Sequence, residues 1–324
     1  MKRPTRPRRG VALLAALWLV VAISTVALQF SLEAKERRTI GILASERGIQ
    51  RAAAMGALAL VQAKLEYALR VRPTGTNLSQ FAGFDPWLHI DSTLTGPMLV
   101  DSIRVDVSAH DLGERLNVNQ LSENDLRTFF SFVLGDYTKA TQLSQTIMDW
   151  RDADSLPRPS GAERDAYIKA EMLALPTNAP FGEIDELRNV MGMTPEIYAA
   201  VAPYLATHGA TAVNVNDAPV AVLRALPGMT DATLAMILQM RSQGRRIDNV
   251  TSLFGGAATG RRSIRGQANS PAVIGQLRGR TTTVTQEIQF DFTVRVGPQA
   301  PPAKLTAIVR QAGGNTTTVT YRSW

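Results

Sequence analysis

The chain contains no cysteine, which removes disulfide frameworks, thiolate metal sites and thiol catalysis together. Histidine is nearly as scarce. His89, His110 and His208 are the only three, widely spaced and with no nucleophile elbow, so neither a catalytic triad nor a histidine zinc set can be assembled. Nothing around the paired carboxylates marks a sugar or phosphate cleft, and the chain reads as a non-enzyme. Charge is missing altogether from residues 11–32, and proline from residues 33–70. An excess of one charge sign is also largely missing. The formal net charge is +7, but five of the 35 basic residues fall in the first ten positions, leaving 30 basic residues against 28 acidic ones. That balance gives little support to a polyanion partner.

What is present begins with those two features side by side. Lys2, Arg3, Arg6, Arg8 and Arg9 precede 22 uncharged residues, which as a helix reach roughly 33 Å, enough to cross a bilayer core. The basic flank is expected to stay cytoplasmic, with everything after Leu32 beyond the membrane. The join reads Arg8-Arg9-Gly10-Val11-Ala12-Leu13-Leu14. A plain signal anchor needs nothing from Gly10, and a removed export signal finds small residues at Ala22-Ile23-Ser24. The junction resembles the leader of type IV pilins and type II secretion pseudopilins. In those families a prepilin peptidase cuts after the glycine and methylates the new N-terminus, here Val11. Most pilins carry a glutamate at the fifth mature position, where this chain has Ala15. A subunit with no neighbour above it gains nothing from burying that carboxylate.

The length of 324 residues suggests about two domains, and 45% apolar residues can fill their cores. Helical spacing continues after the apolar run, through Ile42, Leu43, Ile49, Leu58, Leu65 and Leu69, and ends near Arg72-Pro73-Thr74-Gly75. Alternation predicts a strand over residues 99–109 and another over 288–296. Two further runs, 305–310 and 316–321, flank Gly313-Gly314-Asn315 as a hairpin. Between them the pattern is helical. The expected architecture is a small antiparallel sheet on a long helix, interrupted by an inserted helical domain, because a lone strand near Leu99 would otherwise lack partners.

The helical block repeats itself. Leu187-Arg188-Asn189-Val190-Met191-Gly192-Met193-Thr194 recurs 36 residues later as Leu223-Arg224-Ala225-Leu226-Pro227-Gly228-Met229-Thr230, and Asn117-Val118-Asn119 is echoed by Asn214-Val215-Asn216. In each long copy a helix stops at glycine (Gly192, Gly228) and threonine caps the next. The second copy resembles a helix-hairpin-helix module, which binds DNA backbone, with Arg241, Arg245, Arg246, Arg261, Arg262 and Arg265 as basic material nearby. Its hairpin lacks a second glycine, and a compact packing unit explains the same pattern. An acidic loop is the other constellation: Asp149-Trp150-Arg151-Asp152-Ala153-Asp154, then Pro157-Arg158-Pro159-Ser160-Gly161-Ala162-Glu163. Counted as an EF-hand from Asp152 it fails, with Leu156 and Pro157 at positions five and six. The residues alone allow a hard cation such as calcium or internal pairing with Arg151, Arg158 and Arg164.

Segments 147–154, 158–163, Asn178-Ala179-Pro180-Phe181, Asp185-Glu186-Leu187-Arg188, Gly192-Met193-Thr194 and 214–219 follow one another in an order that resembles the K subfamily of type II secretion minor pseudopilins. The resemblance runs from the leader to the last strands. It implies an α+β, type IV pilin-like fold carrying a large inserted all-α domain with helix-hairpin-helix-like repeats. The divisions are then a cleaved leader (1–10), a transmembrane and extended helix (11–72), a head (73–110 and 280–324) and the insertion (111–279). It implies calcium in the insertion, with Asp149, Asp152, Asp154 and Glu163 as ligands, and only Tyr167 kept of the family's usual tyrosine pair. Implied partners are I-type and J-type minor pseudopilins, the major pseudopilin, the prepilin peptidase, secreted substrates and the outer-membrane secretin, with no nucleic acid. The implied location is the bacterial inner membrane, single-pass, with the bulk in the periplasm. The implied role is initiation of a secretion pseudopilus from its tip; a type IV minor pilin and a membrane-tethered DNA receptor are the alternatives.

Overall fold

The computed structural model describes residues 9–72, 85–90, 94–250, 271–298 and 300–324. The proline-free stretch forms one continuous helix, α1 (Arg9–Val71, 63 residues), closed where Arg72 N donates to Ala68 O at 3.1 Å. From Leu13 to Leu32 its side chains are exposed all round. Its last third is different. Ala53, Ala57, Leu58, Val61, Leu65 and Leu69 recur at helical spacing and are buried. Gly56 lies on the same side, where a β-carbon would sit 2.7 Å from a Val100 methyl, so the approach of the next hairpin requires glycine there.

That hairpin is β1 (Gly96–Val100) and β2 (Ile103–Asp111). The structure thus divides the single strand expected over residues 99–109. Asp101 and Ser102 take positive φ, 46° and 69°, between the paired residues Val100 and Ile103. Two left-handed residues in a two-residue loop make the turn whose twist matches antiparallel strands, and no glycine marks it in the sequence.

The chain then enters the helical region. Two short parallel ladders frame it: β3 (Leu116–Asn117) with β4 (Leu205–Ala206), and β5 (Val213–Asn214) with β6 (Thr281–Thr282). Inside the first frame, α2 (Glu123–Leu134) begins at a Ser122–Asp125 capping box and stops at Gly135, φ 66°. It packs on α3 (Tyr137–Arg151), which is followed by α4 (Arg164–Lys169), a 3-10 turn (Ile184–Asn189) and α5 (Pro195–Val201). The second frame holds α6 (Val220–Arg224), α7 (Asp231–Ser242) and α8 (Pro271–Arg280). α8 leads directly into β6, and residues 251–270, between α7 and α8, lie outside the described ones.

The two frames are built alike. Asn119 Oδ1 accepts from Phe181 N while its Nδ2 donates to Phe181 O and Thr207 O; Asn216 does the same with Ile247 N, Ile247 O and Thr283 O. Arg151 donates to the carbonyls of Val118 and Leu121, and Arg241 to those of Val215 and Ala218. A side-chain amide thus fastens a passing strand, and a guanidinium caps the turn behind it.

The remaining strands, β7 (Glu287–Val294), β8 (Ala303–Gln311) and β9 (Thr317–Ser323), join the first hairpin in one antiparallel sheet ordered β1-β2-β7-β8-β9. Val105, Val107, Ile288, Phe290, Phe292, Leu305, Ala307 and Val309 turn one face onto α1. The helical region keeps its own core around Phe129, Phe130, Trp150, Tyr167 and Phe181, and meets the sheet through Leu112, Ala206 and Ile308. At that seam buried Asp111 accepts from Gly113 N, Asn214 Nδ2 and Thr285 Oγ1 at 2.8–2.9 Å. Next to it burial, then the carboxylates of Asp111 and Asp217, push Glu114 up to about 7.

Two outcomes follow. Asn119→Ala or Asn216→Ala leaves a main-chain N–H and two carbonyls without partners, and each is expected to destabilise the chain by about 2–3 kcal/mol in denaturant melts. Glu114 binds a proton in the folded state that the unfolded chain releases near 4.5, so its contribution is full below pH 4.5 and is lost as pH rises through 7. Melting temperatures recorded from pH 5 to 8 should fall less steeply in Glu114→Gln than in the parent chain.

Candidate metal centre

The end of α3 delivers Asp149 and the loop that follows delivers Asp152 and Asp154; α4 begins after Glu163. An aromatic floor fixes this geometry. Trp150 stacks on Phe181 with ring centres 6.1 Å apart and meets Tyr167 at 5.7 Å, while Tyr167 Oη accepts from Met191 N. Asn178 closes the loop from outside, its N donating to Trp150 O and its Nδ2 to Asp154 O.

The four acidic residues fall into two groups. Asp149 is fully buried and accepts from Arg158 N at 3.1 Å and Arg158 Nη1 at 2.5 Å. The same Nη1 reaches Asp152 Oδ2 at 2.6 Å, and Arg158 Nε lies 3.6 Å from Glu123. Asp152, Asp154 and Glu163 form the second group, each placing a carboxylate oxygen within 4.8 Å of the others. Asp152 Oδ1 and both Glu163 side-chain oxygens are buried without a hydrogen-bond partner. Burial first, then the charges of Asp149 and Asp152, raises the Glu163 carboxyl above its ordinary range.

Unpartnered buried carboxylate oxygens are costly unless a cation meets them. An all-oxygen cluster on a loop suits a hard divalent ion such as calcium, with further oxygens completing the shell. The residues present fit that ion. Arginine pairing occurs in the same loop on different oxygens: Arg158 takes Asp149 and one side of Asp152. Arg151 points away, to the carbonyls already described.

Of the other residues singled out, Gly192 and Gly228 take φ of 87° and 81°, and Thr194 and Thr230 cap α5 and α7 through Ile197 N and Thr233 N. Arg241 and Arg246 are not on offer to a polyanion, because their guanidinium groups are spent on main-chain carbonyls, Arg246 on Leu88 O and Thr283 O. Arg261, Arg262 and Arg265 lie outside the described residues. So does most of the leader (residues 1–8), while Gly10 and Val11 belong to the backbone of α1. Asn119, Asn216 and the two clamping arginines escaped sequence reasoning as structural residues; the echo of Asn-Val-Asn was their only trace.

Residues 114–209, the first frame with its acidic loop, match the family model described as type II secretion system (T2SS), protein K. Over those residues the chain is similar to type II secretion protein K. Its similarity to the type II secretion system protein K of Dickeya chrysanthemi is 28% identity over 65% of this chain and 70% of that one. With the namesake from Pectobacterium carotovorum it is 31% over 33% of this chain, spanning about a third (35%) of that relative's length. The fold matches a chain in the crystal structure of the GspK-GspI-GspJ complex from the enterotoxigenic Escherichia coli type 2 secretion system, with TM-score 0.66 and 16% identity, over 86% of this chain and 96% of that one.

Calcium should raise the melting temperature, by an amount equivalent to about 2.7 kcal/mol at a hundredfold excess over Kd, and a chelator should reverse it. Glu163→Gln should shrink that rise without destabilising the metal-free chain, since it removes a buried charge from acidic surroundings.

Proposed function

We propose that this chain is a minor pseudopilin at the tip of a type II secretion pseudopilus, held in the inner membrane by the first half of α1, with the rest of the chain in the periplasm. The observation that carries this reading is the division of α1. One helix is wholly exposed and apolar over a bilayer's length, then becomes the core of an α+β head. Such a helix is both anchor and handle, which is the working principle of a pilin-like fold. Side-by-side packing of several such helices, aided by small residues such as Ala12, Ala15, Ala16 and Ala22, starts a bundle inside lipid.

The GspK-GspI-GspJ neighbour supports I-type and J-type pseudopilins as companions. The helical region between β2 and β7 gives the head a bulk that blocks a further subunit above it. With Ala15 in place of an acidic residue, the chain offers no carboxylate to a next N-terminus. Calcium at Asp152, Asp154 and Glu163 would order the loop beside the aromatic floor, and the Gly192 and Gly228 hairpins act as packing turns of helix-hairpin-helix type. Export of folded proteins through the secretin is the process this assembly serves.

N-terminal sequencing of protein recovered from membranes tests the reading. The expected first residue is N-methylated Val11, and Gly10→Val should leave an unprocessed, longer chain. A mature start near Thr25 would show that the apolar segment is discarded, and the reading would fall with it.

A further inference from the structure

At the foot of the head, where α1 emerges from the sheet, lies a groove of about 540 Å³. Its floor is α1 itself, through Arg47 and Arg51, one helical turn apart. Lys304, at the start of β8, and the Trp324 ring, after β9, form the walls with Pro301. The walls are fixed. Buried Gln50 donates to Pro301 O at 3.1 Å, and Glu46 Oε2 accepts from Ala300 N at 2.7 Å. Arg51 is held over the Trp324 ring, 5.2 Å from its centre. Arg47 and Lys304 have no acidic partner among the described residues. Three cations therefore face one half-aromatic trough, and Glu46, the residue before Arg47, is turned to the loop at Ala300.

We infer that this groove docks an acidic stretch on the N-terminal helix of the neighbouring pseudopilin, with carboxylates about one turn apart meeting Arg47, Arg51 and Lys304. The inference rests on the pseudopilin reading, since a helix flanking α1 is what that assembly supplies. Position decides against the other anionic surface at hand. Arg47 stands 15 residues beyond Leu32 on an unbroken helix, roughly 22 Å above the hydrocarbon boundary. A headgroup layer is only about 5–8 Å deep, and the remaining gap exceeds a screening length of about 8 Å. Lipid phosphates are out of range, whereas a parallel helix beside α1 passes directly over the groove. The Trp324 ring adds an apolar platform for the stems of such side chains.

The test uses the full chain in detergent with its cognate I-type and J-type pseudopilins, comparing the parent with Arg47→Glu/Lys304→Glu. Both positions are exposed, and an unchanged melting temperature shows that the variant folds. The double variant should bind its partners about tenfold or more weakly at low salt, and the difference should close as salt rises. Equal affinity, or a loss indifferent to salt, would overturn the inference. So would a variant that loses flotation with phosphatidylglycerol vesicles while keeping its partners, which would assign the groove to lipid. If the parent chain joins neither partner, the pseudopilin reading itself fails; if the parent joins and the double variant joins equally well, only the groove is lost.

Discussion

The burial of one stripe of α1 against the sheet is the contact on which the rest of the molecule depends. Leu58, Val61, Leu65 and Leu69 each contribute about 1.5–3 kcal/mol by leaving water, and the alanines between them let the sheet come close. Three polar ties fix the depth of the contact. Trp87 Nε1 donates to Leu65 O, Glu66 accepts from Thr317, and Arg72 pairs with Asp85. A helix so fastened over its last third cannot swivel relative to the head. A load on the exposed apolar third is therefore delivered to the sheet as a whole.

The sheet that receives the load is completed late in the chain. β2 pairs with β7, so Asp111 stands opposite Ile288 with the whole helical region between them. Closing so long a connection is entropically unfavourable, though the penalty grows only slowly with length. The cost is offset because the intervening residues have a core of their own, separate from the one under the sheet. Its ends are then brought together by folding rather than by chance. The buried Asp111, tied to both Asn214 and Thr285, is where the two cores are registered against each other.

Much of this was legible in the sequence, and what was not has physical causes. The long helix announced itself by the missing proline, and the last hairpin by Gly313-Gly314-Asn315. The turn at Asp101 and Ser102 did not, because two non-glycine residues carry the positive φ that glycine usually signals. The acidic loop showed its carboxylates but not their division, since spacing along a chain cannot say which oxygen Arg158 will reach. Arg241 misled for a related reason. Its charge counts toward a basic surface in composition, yet in the fold it is a bracket for Val215 and Ala218.

The two frames share their brackets but differ in what lies between them, and the difference bears on the cation. In the second frame α7 passes into the short turn Gln243-Gly244-Arg245, and the next residue, Arg246, ties directly to the head through Leu88 O. In the first, α3 runs instead into the long acidic loop, which is fastened by Arg158 and Asn178 and leaves three oxygens unmatched. Among its described residues, the second frame is tied by protein groups. The first has a loop in which Arg158 meets only part of the negative charge, and the oxygens on the Glu163 side face one another without a partner. A metal acting there would tighten the frame that covers the aromatic floor while leaving the head and its helix untouched, so loop order and anchoring are separable properties of one chain.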